Sequence, residues 1–104
     1  MERIKTLAQF DELTSHGKHI IVFSAEWCRD CLFIKPQLPV IERHFPQWQF
    51  WLVDRDELMV LCKDLEIYGI PSFLAFVDGE VVGRFVSKKR KTLLEIEGFI
   101  KGLG

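Results

Sequence analysis

Residues 20–31 of the chain read IIVFSAEWCRDC, and this stretch decides the fold. Its first four residues are β-branched or aromatic, which predicts a short strand buried on both faces. Beyond Cys28, apolar residues recur at the four-three-four spacing of a helical face, at Ile34, Leu38, Ile41 and Phe45. The stretch therefore predicts a strand that runs directly into a long helix, with Cys28 and Cys31 at the junction.

Three further helices are predicted by apolar residues spaced three or four apart. These faces are Leu7, Phe10 and Leu13 after a capping-box pattern at residues 6–9, then Leu58, Leu61 and Leu65, and finally Leu93, Ile96, Ile100 and Leu103. We expect the middle helix to end near Gly69. Pro36 should kink the long helix, because its ring removes one donor and clashes with the preceding turn.

Extended patterns lie between these helices. Residues 50–53 predict a second central strand, and residues 73–77 and 81–86 flank Asp78-Gly79, a strong signal for a two-residue hairpin turn. A further short strand at residues 3–5 is left open. Helices between strands imply right-handed crossovers with parallel pairing, and the hairpin adds antiparallel strands. The order predicts an α/β fold around a central mixed sheet.

Composition narrows the class of protein. With 104 residues, 48% of them hydrophobic, and a net charge of −1, the chain predicts one globular domain over residues 1–104. The balanced charge argues against nucleic-acid binding, and no apolar stretch is long enough to span a membrane. The first residues lack the apolar core of a signal peptide, so we expect a cytoplasmic protein, whose cysteines tend to be catalytic or metal-binding.

Cys28 and Cys31 carry the strongest chemical signal. A thiol in the first turn of a helix faces unpaired backbone N–H groups and the positive end of the helix dipole, which both favour the thiolate. The two-residue spacer puts the second sulfur one turn further on, close enough to form a disulfide. A C-x-x-C pair at such a junction favours redox chemistry. A metal site and a pair without catalytic function are the alternatives.

Cys62 and the histidines stand apart from this pair. A zinc site needs about four ligands, but His16, His19 and His44 have no ligand-like spacing, so we expect them at the surface or at helix ends. Cys62 follows Leu61 on the middle helix, which predicts a small buried hydrophobe. A regulatory or dimer-forming thiol is the alternative.

One basic cluster interrupts the even distribution of charge, at Lys88, Lys89, Arg90 and Lys91. Four cations near the start of a helix oppose its dipole, so helix stability does not explain the cluster. We expect this cluster to form a solvated face of the protein. The alternative is that it docks to an acidic surface of a partner.

Four segments together resemble the thioredoxin family, in order and at family-like spacings over essentially the whole chain. The segment AEWCRDC at residues 25–31 resembles the active-site segment, and Pro36 matches the proline that kinks the following helix. GIPS at residues 69–72 is similar to the family's cis-proline loop, and DGE at residues 78–80 to its hairpin. The resemblance implies the thioredoxin fold, with a central mixed sheet flanked by helices on both faces, and dithiol–disulfide exchange.

The same resemblance implies a role for each matched residue. Cys28 would attack and Cys31, a buried thiol, would resolve the mixed disulfide. Pro71 would pack beside the pair and offer the Ile70 backbone to an extended substrate, while Trp27 would cover the site. We then expect a monomer without cofactor or metal that reduces protein or small-molecule disulfides and is itself reduced by a reductase. The alternative is a binding module that holds a partner through Trp27 and Pro71.

Two departures from the family pattern concern charge. Arg29 and Asp30 replace the usual Gly-Pro, and their opposite effects on the Cys28 thiolate should largely cancel. The family's buried aspartate corresponds to Val22, and we match the lysine that partners it to Phe50, so both charges are lost together.

The loss of that aspartate leaves open which group accepts the proton of the resolving thiol. Asp30, which is next to Cys31, and Glu26 are the candidates.

Overall fold

The structure, a computed structural model, describes residues 1–104, and its centre is one five-stranded sheet. The strands are Glu2–Arg3 (β1), Lys18–Ser24 (β2), Gln49–Asp54 (β3), Ser72–Val77 (β4) and Glu80–Phe85 (β5), in the spatial order β1-β3-β2-β4-β5. β3 pairs in parallel with β1 and β2, whereas β4 pairs antiparallel with β2 and β5. The mixed sheet is confirmed.

Five α-helices connect and flank these strands: Leu7–Thr14 (α1), Arg29–Ile34 (α2), Leu38–His44 (α3), Met59–Asp64 (α4) and Leu93–Lys101 (α5). The long helix is interrupted as predicted, since Pro36 lies in a 3-10 turn at Lys35–Gln37 between α2 and α3. The expected end of α4 near Gly69 is wrong. The chain leaves the helix after Asp64, where Glu66 adopts a left-handed φ of 57°.

None of these helices combines the length and the apolar character that crossing a membrane requires.

β2 is buried on both faces because its side chains alternate between two apolar clusters. Ile21 and Phe23 pack into the cluster that contains residues of α1 and α4. Ile20 and Val22 pack into the opposite cluster, with residues of α2, α3 and α5. Helices therefore cover both faces of the sheet, which confirms the predicted fold class.

The hairpin between β4 and β5 turns at the predicted dipeptide. Asp78 and Gly79 have φ angles of 49° and 88°, as a two-residue turn with left-handed central residues requires. Asp78 also ties this turn to the start of β2, because its Oδ1 accepts the Gly17 N–H at 2.8 Å.

His19 corrects the expectation that the histidines lie at the surface or at helix ends, since it is buried within β2. Its Nδ1 accepts the indole N–H of Trp51 at 3.0 Å, and its Nε2 lies 2.6 Å from the carbonyl oxygen of His16. A neutral ring with its proton on Nε2 satisfies both contacts. The burial of β2 on both faces brings this residue inside the protein.

Candidate active site

Cys28 and Cys31 meet where β2 gives way to α2. Cys28 is the N-cap residue of α2, and its Sγ accepts the backbone N–H of Cys31 at 3.2 Å. Both are free thiols with only 7% and 5% of their surface exposed. Because a donor points at the Cys28 sulfur, a negative charge there is stabilised by the start of the helix.

The loop that carries Pro71 lies against this pair. The Cys28 thiol donates to the carbonyl oxygen of Ile70 at 3.7 Å, and the Ile70–Pro71 peptide bond is cis. Pro71 itself is buried at the start of β4. The fold therefore brings together two motifs that lie far apart in the sequence.

Trp27 is the exposed side of the site, with 62% of its surface accessible. Its indole N–H donates to Asp56 Oδ2 at 2.6 Å, and the Arg55 guanidinium lies 5.7 Å from its ring centre. Asp56 is not among the site residues predicted from the sequence. The signal that could have indicated it is the position of its carboxylate just after the end of a predicted strand. This contact holds the indole in place beside the thiols.

The two residues between the cysteines lie in different surroundings. Asp30 accepts a hydrogen bond from Arg90 Nε at 2.9 Å, whereas Arg29 is exposed to solvent. The Arg90 guanidinium also lies 4.3 Å from the centre of the Phe33 ring. The ion-pair partner of Asp30 is therefore Arg90, from the distant basic cluster, and not Arg29.

Burial raises the pKa of the Cys31 thiol well above its ordinary value, and a hydrogen bond with Cys28 adds to the effect. The charges of Cys28 and Asp30 raise this pKa further, against a lowering by a backbone hydrogen bond at Ala25. Loss of the Cys31 proton is thus the difficult part of any reaction in which this thiol attacks.

The neighbour of Val22 on β3 is Leu52, which corrects the match to Phe50. In the parallel register Val22 pairs with Leu52, whereas Phe50 pairs with Ile20. The shift does not change the chemistry, because the pair beneath the site carries no charge with either partner.

A cavity of about 280 Å³ reaches Cys31 from the side of Val22 and Leu52. Glu26 lines this cavity, and Asp30 does not. Of the two candidate proton acceptors, Glu26 therefore shares a space with Cys31, while Asp30 is held by Arg90.

The basic cluster is in large part the solvated face that its composition predicts. Lys88, Lys89 and Arg90 are exposed, although Arg90 also donates to Asp30, and only Lys91 is buried. The Arg90–Asp30 contact shows that the loop before α5 folds back onto α2.

Cys62 is buried in α4, as predicted, and lies with Leu61 in the apolar cluster beneath that helix. It belongs to no metal site, since no three His, Cys, Asp or Glu side chains lie together as metal ligands would.

Replacing Cys62 with alanine is expected to reduce the loss of stability at alkaline pH. Burial raises the pKa of the Cys62 thiol from 9.0 to about 11, with smaller opposing effects of Arg55 and Asp54. Between these values the folded chain keeps a proton that the unfolded chain has lost. The free energy of unfolding should therefore fall as pH rises, by up to about 1.4 kcal/mol per pH unit.

Urea unfolding of the reduced protein at about pH 8 and about pH 10.5 measures this effect. The difference between the two values should shrink by about 1–2 kcal/mol in the Cys62→Ala variant. An equal loss in both proteins would mean that the Cys62 thiol titrates alike in the folded and unfolded chains.

Comparison with known proteins places these features in a family. The sequence profile described as Thioredoxin matches residues 3–101. Thioredoxin-1 of Saccharomyces cerevisiae is 32% identical over 85 residues, which are 81% of this chain and 82% of that protein. An H-type thioredoxin of Fagopyrum esculentum is 31% identical over 87 residues, 83% of this chain and 75% of its own length.

Solved structures agree on the fold. Thioredoxin from Trypanosoma brucei brucei superposes with a TM-score of 0.86 at 20% identity, over 97% of this chain and 88% of that one. Mitochondrial thioredoxin 3 from Saccharomyces cerevisiae, in its oxidised form, superposes with a TM-score of 0.82 at 24% identity, over 97% and 94% of the two chains.

Proposed function

Because the chain belongs to the thioredoxin family, we propose that it reduces protein disulfides by dithiol–disulfide exchange through Cys28 and Cys31. Family membership supports a thiol–disulfide oxidoreductase in general. One observation carries the assignment to these two residues: the backbone N–H of Cys31 donates to Cys28 Sγ at 3.2 Å. This contact favours a thiolate on Cys28 and holds the second thiol one turn away.

The proposed cycle begins when the Cys28 thiolate attacks one sulfur of a substrate disulfide. A bond forms between Cys28 and that sulfur, the substrate bond breaks, and the departing sulfur takes up a proton. Cys31 then loses its proton and attacks Cys28 Sγ, which releases the second substrate thiol and leaves a Cys28–Cys31 disulfide. Two electrons have passed to the substrate, and an external reductase must return them.

An extended substrate segment is proposed to bind across Trp27 and the Ile70–Pro71 loop. The exposed Trp27 ring offers apolar contact area, and its hydrogen bond to Asp56 keeps it from turning away. The Ile70 carbonyl points at Cys28, so backbone groups of this loop lie beside the reacting sulfur. Such a surface favours a protein substrate, since a small disulfide would leave most of it unused.

We propose that the protein works as a monomer in the cytoplasm, with a reductase as its electron donor and no bound cofactor. A reducing compartment fits this proposal, because the cycle needs the Cys28–Cys31 pair to be returned to the dithiol.

The test is turnover of a protein disulfide with dithiothreitol as the source of electrons. The wild-type chain should accelerate reduction in proportion to its concentration, and the Cys62→Ser variant should do so equally well. A chain that binds the substrate without accelerating its reduction would refute the proposal. That result would instead indicate a binding module that holds partners through Trp27 and Pro71.

A further inference from the structure

Lys91 is buried within the fold, with 1% of its surface exposed. Its Nζ donates to the carbonyl oxygens of Ser87 and Lys89, at 3.0 Å each, and lies 5.5 Å from the centre of the Phe85 ring. Burial of an ammonium group is costly unless hydrogen bonds and negative charge compensate for lost water. The two carbonyl oxygens compensate for part of this cost, and a negatively charged group nearby is needed to compensate for the rest.

The start of α5 explains why this side chain points inward. The Thr92 hydroxyl accepts the Glu95 N–H at 3.2 Å, and Glu95 Oε1 accepts the Thr92 N–H at 3.0 Å, which forms a capping box. In such a cap the preceding residue commonly packs back on the fourth residue of the helix, here Ile96. Lys91 holds that position, where its four-carbon stem can pack like an apolar side chain.

The loop that carries Lys91 is held against the active site on two sides. On one side, the Ser87 backbone comes so near Gly69 that a Cβ there would lie 2.1 Å from the Ser87 oxygen. On the other side, Arg90 donates to Asp30 at 2.9 Å. Gly69 precedes the Ile70–Pro71 bond and Asp30 precedes Cys31. The loop that carries Lys91 therefore touches both the segment before Pro71 and the helix that carries Cys31.

The charged groups around Lys91 and Cys31 leave one clear partner. Burial lowers the pKa of Lys91, and the negative groups that oppose this are, in order, Cys31, Asp30, Glu95 and Cys28. Asp30 is already bound to Arg90, and Glu95 closes the helix cap. The cavity that reaches Cys31 is lined by further charged groups, namely Arg3, Glu26, Lys35, Glu42, Asp54 and the N-terminal amine of Met1. Among the four groups that act on Lys91, an ionised Cys31 has the strongest effect, and neither the Arg90 ion pair nor the helix cap engages it.

We propose that Lys91 is a positioning residue for the second half of the exchange, in which its buried ammonium stabilises the thiolate of Cys31 as that sulfur attacks. The proposal rests on the function proposed above. Val22 on β2 and Leu52 on β3 carry no charge beneath the site. In this proposal the charge comes instead from Lys91, in the loop before α5.

The step balances without any further reactant. The Cys31 proton passes to solvent through the cavity that Glu26 lines, and the resulting thiolate forms a bond to Cys28 Sγ while the bond from Cys28 to the substrate sulfur breaks. The substrate sulfur departs with the electron pair and takes a proton from solvent. Lys91 keeps its own proton throughout and is not consumed.

A stopped-flow reaction with an uncharged aromatic disulfide, 4,4′-dithiodipyridine, separates the two halves in a Cys62→Ser background. The first equivalent of released thiopyridone reports attack by Cys28, and the second reports attack by Cys31. In the Lys91→Met variant we expect the second phase to slow about tenfold at neutral pH, and its pH profile to move up by about one unit. The first phase should stay within about twofold, because Cys28 has its own stabilising donor.

Matched variants separate charge from packing. Lys89→Met removes an exposed cation of the same loop and should change neither phase. Lys91→Gln keeps donors for the two carbonyls without the charge and should behave like Lys91→Met, which also covers a methionine variant that fails to fold. Lys91→Arg keeps the charge and should hold the pH profile near that of the wild type.

The two proposals fail in different ways. An unchanged second-phase pH profile in Lys91→Gln and Lys91→Met overturns the role of Lys91 while the exchange chemistry stands. A wild-type chain without a second phase, or a second phase that persists in Cys31→Ser, overturns the exchange mechanism and the role of Lys91 with it.

Discussion

A Cys28→Ser chain is expected to lose disulfide turnover entirely, whereas a Cys31→Ser chain should stop halfway with its substrate bound covalently to Cys28. A serine hydroxyl is not ionised at neutral pH, so the first variant has no nucleophile at the start of α2. The second variant keeps the Cys28 thiolate but lacks the internal thiol that releases the substrate. A well-oriented internal group can act at an effective concentration of about 10⁵ M or more, which no free thiol matches.

Intact-mass measurement after mixing each reduced variant with a disulfide substrate shows the difference directly. In a Cys62→Ser background, Cys31→Ser should carry one substrate adduct that persists until dithiothreitol is added, and Cys28→Ser should carry none. Clients captured by the Cys31→Ser chain from a cell extract would identify its protein substrates. Adducts on a Cys28→Ser chain would contradict the assignment of Cys28 as the attacking thiol.

A Gly69→Ala chain is expected to lose about 3 kcal/mol or more of folding free energy. An added Cβ would lie 2.1 Å from the Ser87 oxygen, 2.4 Å from the Ser87 carbonyl carbon and 2.7 Å from the Lys88 nitrogen. All three are backbone atoms, which cannot rotate away as the end of a side chain can, so the loop before α5 must move. That movement would also displace the Ser87 carbonyl from Lys91.

Gly98→Ala is the matched control for this variant. Gly98 lies within α5, and an added Cβ there meets nothing within 4 Å. Alanine is favoured over glycine inside a helix, so this variant should gain about 0.5–1 kcal/mol. Urea unfolding monitored by far-ultraviolet circular dichroism measures both changes. A Gly69→Ala chain within about 1 kcal/mol of the wild type would refute the close approach of the two loops.

The predictions from the sequence succeed where a structure depends on neighbours in the chain. The run at residues 20–23 lies inside β2, and Asp78-Gly79 turns the hairpin, because side-chain alternation and left-handed φ angles are local properties. Pro36 interrupts the long helix for the same reason. Two predictions at this level are wrong. α4 ends at Asp64, before a left-handed Glu66, and His19 is buried because helices cover both faces of β2.

The contacts that shape the site depend instead on which distant segments meet. The register of β2 against β3 places Leu52, and not Phe50, beside Val22. A shift of two residues keeps every side chain on the same face of the sheet, so the alternation of side chains along the strand does not reveal it. The hydrogen bond from Trp27 to Asp56 joins residues of different elements in the same way.

What the sequence by itself determined is the order of strands and helices and the placement of Cys28 and Cys31 at a helix start. Both follow from periodicity and spacing within one segment. Only the tertiary structure decided how charge is distributed around these thiols. It buries Lys91 while the three cations before it stay exposed, and it pairs one of these, Arg90, with Asp30 beside Cys31. Such a choice depends on the packing of the loop before α5 against α2 and Gly69, and composition carries no information about that packing.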